Sequence, residues 1–117
     1  MMPDWNSIEK SFLRISRKKQ LGELASSLSR FKGWLLLGSA NREVASVILD
    51  ESILYVSLLM KEGMDSEFHE LHSTLLAWHH NWSTITEQEA ELIKIAEISA
   101  IESEKVLEMS GLLELVK

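Results

Sequence analysis

Hydrophobic residues recur at three- and four-residue steps through most of the chain, which is the spacing of one face of an α-helix. A first stripe consists of Trp5, Ile8, Phe12 and Ile15. A second stripe, shifted in register by one residue, consists of Leu21, Leu24, Leu28, Phe31 and Leu35. The shift predicts a break between two helices near residues 17–20.

Glycines bound the next predicted helix. Gly38 follows the second stripe and predicts a turn, and Gly63 predicts the end of a third helix that runs from about Arg42 to Lys61. The polar residues of this third helix fall in one narrow stripe, so apolar side chains occupy most of its circumference. We expect such a helix at the centre of a bundle or in a subunit interface.

Two more helices are predicted in the C-terminal half of the chain. The fourth opens near Asp65 and carries an apolar stripe that continues to Trp82. Thr86 and Glu89 match a capping box that starts a fifth helix, and Gly111 predicts its end. The fifth helix carries a seam of mostly small residues that lets a neighbouring helix approach closely, formed by Leu92, Ala96, Ser99, Ser103 and Val106.

These elements predict an all-α fold. Because the connections are short, neighbouring helices are expected to be antiparallel, which gives an up-and-down bundle of four long helices with a short helix at the N-terminus. A chain of 117 residues can bury roughly two-thirds of its unfolded surface around one core. Residues 1–117 are therefore interpreted as a single domain.

The amino-acid composition and the net charge exclude several classes of function. The chain has no cysteine, which excludes disulfides, thiolate zinc sites and cysteine nucleophiles. Its net charge of −6 argues against nucleic acid or an anionic membrane as a partner. A basic cluster, Arg14, Arg17, Lys18 and Lys19, is interpreted as a solvated face. With no signal-like N-terminus and no apolar run long enough to span a bilayer, a cytoplasmic location is expected.

All four histidines fall in the predicted fourth helix. His69, His72, His79 and His80 share one sector of the helical wheel, and a metal site could use them. The segment from His69 to His72 is, however, one residue short of the H-E-x-x-H zinc motif, and the Glu-x-x-His motif of di-iron bundles is absent. The sector also points away from the apolar stripe. We therefore expect a surface role and no metal ligands.

Other catalytic signatures are missing as well. The carboxylates of the fifth helix have the spacing of a solvated helix face, and no glycine-rich loop is followed by the residues that hold a phosphate. The sequence thus predicts no catalytic residue and no cofactor. One alternative stays open, a bundle that binds a metal or a small molecule through the four histidines together with Trp78 or Trp82.

Three stretches resemble segments of small uncharacterised helical proteins of cyanobacteria. They are residues 19–28 (KQLGELASSL), 49–52 (LDES) and 106–113 (VLEMSGLL). The resemblance covers about a third of the chain and consists of helix-surface segments with no chemistry of their own. It implies a cytoplasmic bacterial protein and no particular activity.

The sequence therefore favours a non-catalytic helical protein that acts by binding another protein or its own copy. The apolar tail after Gly111 is predicted to belong to the interface of a homodimer, through Leu112, Leu113, Leu115 and Val116. The alternative is that the tail folds back onto its own bundle. The identity of any other partner does not follow from the sequence.

Overall fold

The protein is helical throughout residues 3–111, the part that its computed structural model describes, and no strand occurs among them. Its α-helices are, in chain order, α1 (Trp5–Arg14), α2 (Arg17–Leu36), α3 (Arg42–Leu59), α4 (Asp65–His80), α5 (Trp82–Ile85) and α6 (Glu89–Ser110). A 3-10 turn, Ser39–Asn41, lies between α2 and α3, and a kinked segment, Met60–Met64, with non-helical backbone at Glu62 and Gly63, lies between α3 and α4. The predicted all-α class is confirmed.

The predicted break between the first two helices is confirmed, and capping explains its position. The Asp4 carboxylate accepts a hydrogen bond of 3.1 Å from the backbone N–H of Ser7 at the start of α1. The Ser16 hydroxyl accepts one of 3.3 Å from the backbone N–H of Lys19 at the start of α2. Because Ser16 has extended backbone and caps α2, the break lies just before residues 17–20.

The glycine turns are also confirmed. Gly38, Gly63 and Gly111 have φ angles of 95°, 105° and 76°, a backbone conformation that other residues adopt with strain. Gly38 follows α2, Gly63 reverses the chain between α3 and α4, and Gly111 ends α6. These three positions fix where the long helices stop.

The junction before α6 differs from the prediction. The stripe toward Trp82 is interrupted, because α4 ends at His80 and the Asn81 side-chain amide donates a hydrogen bond of 2.9 Å to the carbonyl of Ala77. The predicted capping box is wrong. Gln88, not Thr86, is the N-cap residue of α6, and no side-chain capping hydrogen bond is made there. The Thr86 hydroxyl lies in the preceding turn and donates to the carbonyl of Ser83, at 3.2 Å.

Helix α3 is central, as predicted. It packs against α1, α2 and α4, while α6 packs against the other side of α2. Eight side chains of α3 are buried, including the fully enclosed Leu49, Val56 and Leu59. Of its large apolar residues, Val44 is the most exposed, at 42%. The neighbouring helices thus cover most of the apolar surface of α3, which the sequence predicted to lie either at the centre of a bundle or in a subunit interface.

The small-residue seam of α6 brings it close to α2. The Ser103 hydroxyl donates a hydrogen bond of 2.7 Å to the backbone carbonyl of Ala25 in α2. Ala25, Ala96 and Ser99 are buried at this contact face or beside it. Bulky side chains at these positions would hold the helices apart, so the close approach depends on the small residues.

Candidate functional site

The histidines of α4 point outward, as predicted. His69, His79 and His80 are exposed and His72 is half-buried. His79 Nδ1 lies 3.1 Å from Asp50 Oδ1, and the rings of His79 and His80 meet edge to face at 5.8 Å. Within residues 3–111 no group of three or more His, Cys, Asp or Glu side chains is placed to hold a metal ion. The four histidines are therefore not brought together as a ligand set.

The two tryptophans of the alternative hypothesis have different surroundings. Trp78 is buried, with its ring centroid 6.0 Å from that of Phe31. Trp82 is half-buried, packs on the same phenyl ring at 5.9 Å and lines an open cleft of about 520 Å³. The cleft is otherwise polar and is lined by Arg42, Glu43, Ser46, Ser83, Thr86 and Glu87. None of the four histidines lines this cleft.

Two of the most exposed large apolar side chains lie at the end of α2. Leu37 is 64% exposed and Leu36 is 54% exposed. Ile93, near the start of α6, is 52% exposed and shares a small notch of about 130 Å³ with Leu36, Leu35 and Gly38. Leu36 and Ile93 therefore lie beside each other, and Leu37 follows Leu36 directly in the chain.

This apolar end continues along α2 as a row of small residues. Positions three and four apart share one face of a helix, and the row with its two leucines is Gly22, Ser26, Ser29, Gly33, Leu36 and Leu37. We call these six residues the outer face of α2. All are exposed except the half-buried Gly22. The row spans about 22 Å at 1.5 Å per residue, so its length suits a second helix.

Glycine at position 33 has no explanation among the residues that the structure describes. Glycine inside a helix costs about 1 kcal/mol relative to alanine. A Cβ added at Gly33 would meet no atom within 4 Å, so no neighbouring group of the chain requires its absence. The outward pole of a surface helix normally carries long polar side chains. On α2 this row instead consists of glycine and serine and ends in two exposed leucines.

Opposite charges flank the two ends of this face. At the start of α2, Arg14, Lys18 and Lys19 are exposed and enter none of the ion pairs among the described residues. Arg17 is within 3.5 Å of Glu62. The notch and the cleft beyond the end of α2 contain three exposed carboxylates and one exposed guanidinium, from Glu43, Glu87, Glu89 and Arg42. These four groups are likewise unpaired among residues 3–111.

Two shifted pKa values lie away from the outer face of α2. Burial raises the pKa of the Tyr55 phenol to about 12, and the nearby carboxylates of Glu51 and Glu23 add to the rise. Tyr55 stacks on Phe12 with ring centroids 4.3 Å apart. The backbone N–H of Ser7 lowers the pKa of Asp4 through the capping hydrogen bond. Packing and capping account for both shifts, so neither marks a catalytic group.

The predicted tail interface lies outside the described residues. Leu112, Leu113, Leu115 and Val116 follow Gly111, the last residue that the structure describes. The outer face of α2 was missed by the sequence prediction, although two signals were present. Residues 34–37 form an unbroken apolar run of three leucines after Trp34, and Gly33 precedes them in the interior of the predicted helix.

Comparisons with known proteins add no identification. No family model, no curated protein and no solved structure matches the chain. The resemblance to small helical proteins of cyanobacteria therefore stays a prediction. Among the described helices, none is both long and apolar enough to cross a membrane.

Proposed function

We propose that this chain is a non-catalytic helical interaction protein that binds another protein chain through the outer face of α2. The observation that carries the proposal is the exposure of Leu36 and Leu37 beside Ile93, at the end of a helix face without long side chains. Adjacent apolar side chains on a surface are typical of protein interfaces, whereas single ones are common and uninformative.

The finer arrangement of the fold is part of this proposal. An up-and-down bundle is supported by opposite chain directions in α2 and α6, since Ala25 contacts Ser103 and Leu36 lies beside Ile93. A cytoplasmic location and a cyanobacterial relationship remain expectations from the sequence. The homodimer remains a proposal too, with its interface on the outer face of α2.

A second candidate function is favoured by one observation. Trp82 faces an open cleft of about 520 Å³, within the usual size range of small-molecule sites. The histidines do not line this cleft, so a shared site of histidines and tryptophan, which the sequence left open, has no support in the geometry. Metal analysis and an absorption spectrum of protein purified from its native host test the alternative. A bound metal or chromophore supports it, and a protein free of both counts against it.

The proposed function is tested by native purification of tagged protein from its source cells. In one variant both leucines are replaced, Leu36→Lys and Leu37→Lys, because lysine is favourable at the C-terminal end of a helix and does not weaken α2 itself. The matched control is Leu13→Lys, which replaces an exposed leucine near the end of α1. Melting temperatures of all three proteins establish that they are folded.

The expected result is a complex of defined stoichiometry, with a second copy or with another chain. The wild type and the Leu13→Lys control retain it, and the double lysine variant loses it. The proposal is overturned if all three proteins purify as lone monomers, or if the double lysine variant keeps the complex.

A further inference from the structure

Resting on the proposed function, we infer that the chain bound at the outer face of α2 is a second copy of this protein, packed with its own α2 antiparallel across a twofold axis near Ser29. The inference goes beyond the existence of an interaction, because it names the partner, the orientation and the residues that meet. Three observations support it.

The first observation is the self-complementary shape of the outer face. Leu37 and Gly22 lie about two helical turns on either side of Ser29. An antiparallel twofold pairing centred between Ser29 and Arg30 therefore places Leu37 against Gly22 of the partner subunit, and the symmetry repeats the contact. A large exposed side chain then meets a position with no side chain. Ser26 and Gly33 fall opposite each other in the same pairing and leave room for close approach.

The second observation is the charge at the two ends of the face. The start of α2 carries the exposed Lys18 and Lys19, and the far end carries a net negative group that includes Glu43 and Glu89. An antiparallel pairing brings the basic start of one helix beside the acidic far end of the other, twice per dimer. A parallel pairing would instead place like charges together, which is unfavourable.

The third observation concerns the area that a stable interface needs. A specific interface buries about 800 Å² on each partner, which is more than three partly exposed aliphatic side chains supply. The apolar end alone is therefore too small. The full length of the outer face, with its charged ends, adds the missing area. An interface that uses the whole face requires a partner with a long exposed helix, and α2 itself has that form.

Charge exchange tests the inference without disturbing the apolar contact. One variant carries Lys18→Glu and Lys19→Glu, a second carries Glu43→Lys and Glu89→Lys, and a third combines all four changes. Sedimentation equilibrium at several micromolar concentrations and two salt concentrations measures self-association, and melting temperatures monitor folding.

The expected result is a wild-type dimer that weakens as salt rises, because the end-to-end charge pairs are exposed. Each two-site variant should associate about tenfold more weakly or worse, since like charges then face each other at both ends. The combined variant should recover most of the association. The melting temperatures separate this recovery from a change in fold stability, because the helix dipoles favour the glutamates at the start of α2 and disfavour the lysines at the starts of α3 and α6.

A wild type that stays monomeric overturns the second-copy inference, and so does a combined variant that fails to recover. Neither result decides the proposed function. That proposal depends on whether a complex purified from the source cells requires Leu36 and Leu37.

Discussion

The Ser103 hydroxyl of α6 donates a hydrogen bond to the backbone carbonyl of Ala25 in α2, at 2.7 Å. About three helical turns away, in opposite chain directions, Ile93 of α6 comes to lie beside Leu36 of α2. The contact between the small residues thus sets the register that places the exposed side chains of Leu36 and Ile93 beside each other.

Stability should depend strongly on the size of residue 103. Ser103→Ala removes one hydrogen bond and is expected to lower the free energy of unfolding by about 1 kcal/mol. Ser103→Leu adds bulk where α2 and α6 approach and is expected to cost about 1–3 kcal/mol. Urea denaturation measures both values. A leucine variant as stable as the wild type would show that the two helices do not need small residues at this contact.

Tyr55 should titrate at an unusually high pH. It is the only tyrosine in the chain, and burial raises its pKa from the ordinary value of 10.0 to about 12. Its phenolate absorbance should therefore have a midpoint near 12 in the folded protein, and Phe12→Ala should move that midpoint down by removing the stacked ring. A midpoint near 10 in the folded wild type would contradict the packing described for this ring.

The same shift makes fold stability depend on alkaline pH. The folded state holds the Tyr55 proton to a higher pH than the unfolded state does, because the folded pKa is the higher one. The free energy of unfolding should be unaffected by this group below about pH 10 and should fall as pH rises from 10 towards 12. In a Tyr55→Phe variant this part of the decline should be absent, and denaturation curves across that range compare the two proteins.

Replacing the four histidines of α4 together by glutamine should change the free energy of unfolding by less than about 1 kcal/mol, as is usual for surface positions. Three of the four are exposed, and the contact of His79 with Asp50 is on the surface. Added zinc should leave the melting temperatures of wild type and variant equal. A zinc-dependent rise confined to the wild type would instead establish a metal site.

Removal of the tail separates the two interface hypotheses. A chain that ends at Ser110 lacks Leu112, Leu113, Leu115 and Val116 but keeps the whole outer face of α2. If the dimer forms through α2, light scattering should give a dimer mass for the shortened chain as well. A monomeric mass for it would place the interface in the tail, where the sequence first suggested it.

The sequence predicted those features that depend on local chemistry. Apolar spacing located the helices, and Gly38 and Gly111 could be predicted to end helices because few other residues adopt their conformation. The start of α6 was mispredicted because Thr86 belongs to the turn before the helix, and Gln88 is the N-cap residue. The Thr86 hydroxyl donates back to the Ser83 carbonyl, and the spacing of Thr86 and Glu89 does not distinguish this outcome from a capping box.

The candidate site was less predictable, because exposure depends on which neighbours cover each helix face. Leu35 and Leu36 are adjacent leucines, yet the first is 3% exposed and the second 54%. The periodic stripe assigned Leu35 to the core but gave no position for α6, whose packing leaves Leu36 uncovered. Gly33 likewise became informative only when the space around it was known.

The most direct test of the central claim is the mass in solution of the variant Gly33→Gln. Glutamine is a much better helix former than glycine, and a side chain at this position meets nothing within 4 Å, so the monomer should be at least as stable as the wild type. The same side chain would occupy the space along the outer face of α2 that a second α2 needs for close packing.

The matched control is Ala77→Gln, which adds the same bulk to an exposed position of α4. Light scattering at micromolar concentration should give a dimer mass for the wild type and for Ala77→Gln, and a monomer mass for Gly33→Gln. A wild type that is monomeric, or a Gly33→Gln variant that remains a dimer, would contradict the claim that the protein associates through the outer face of α2.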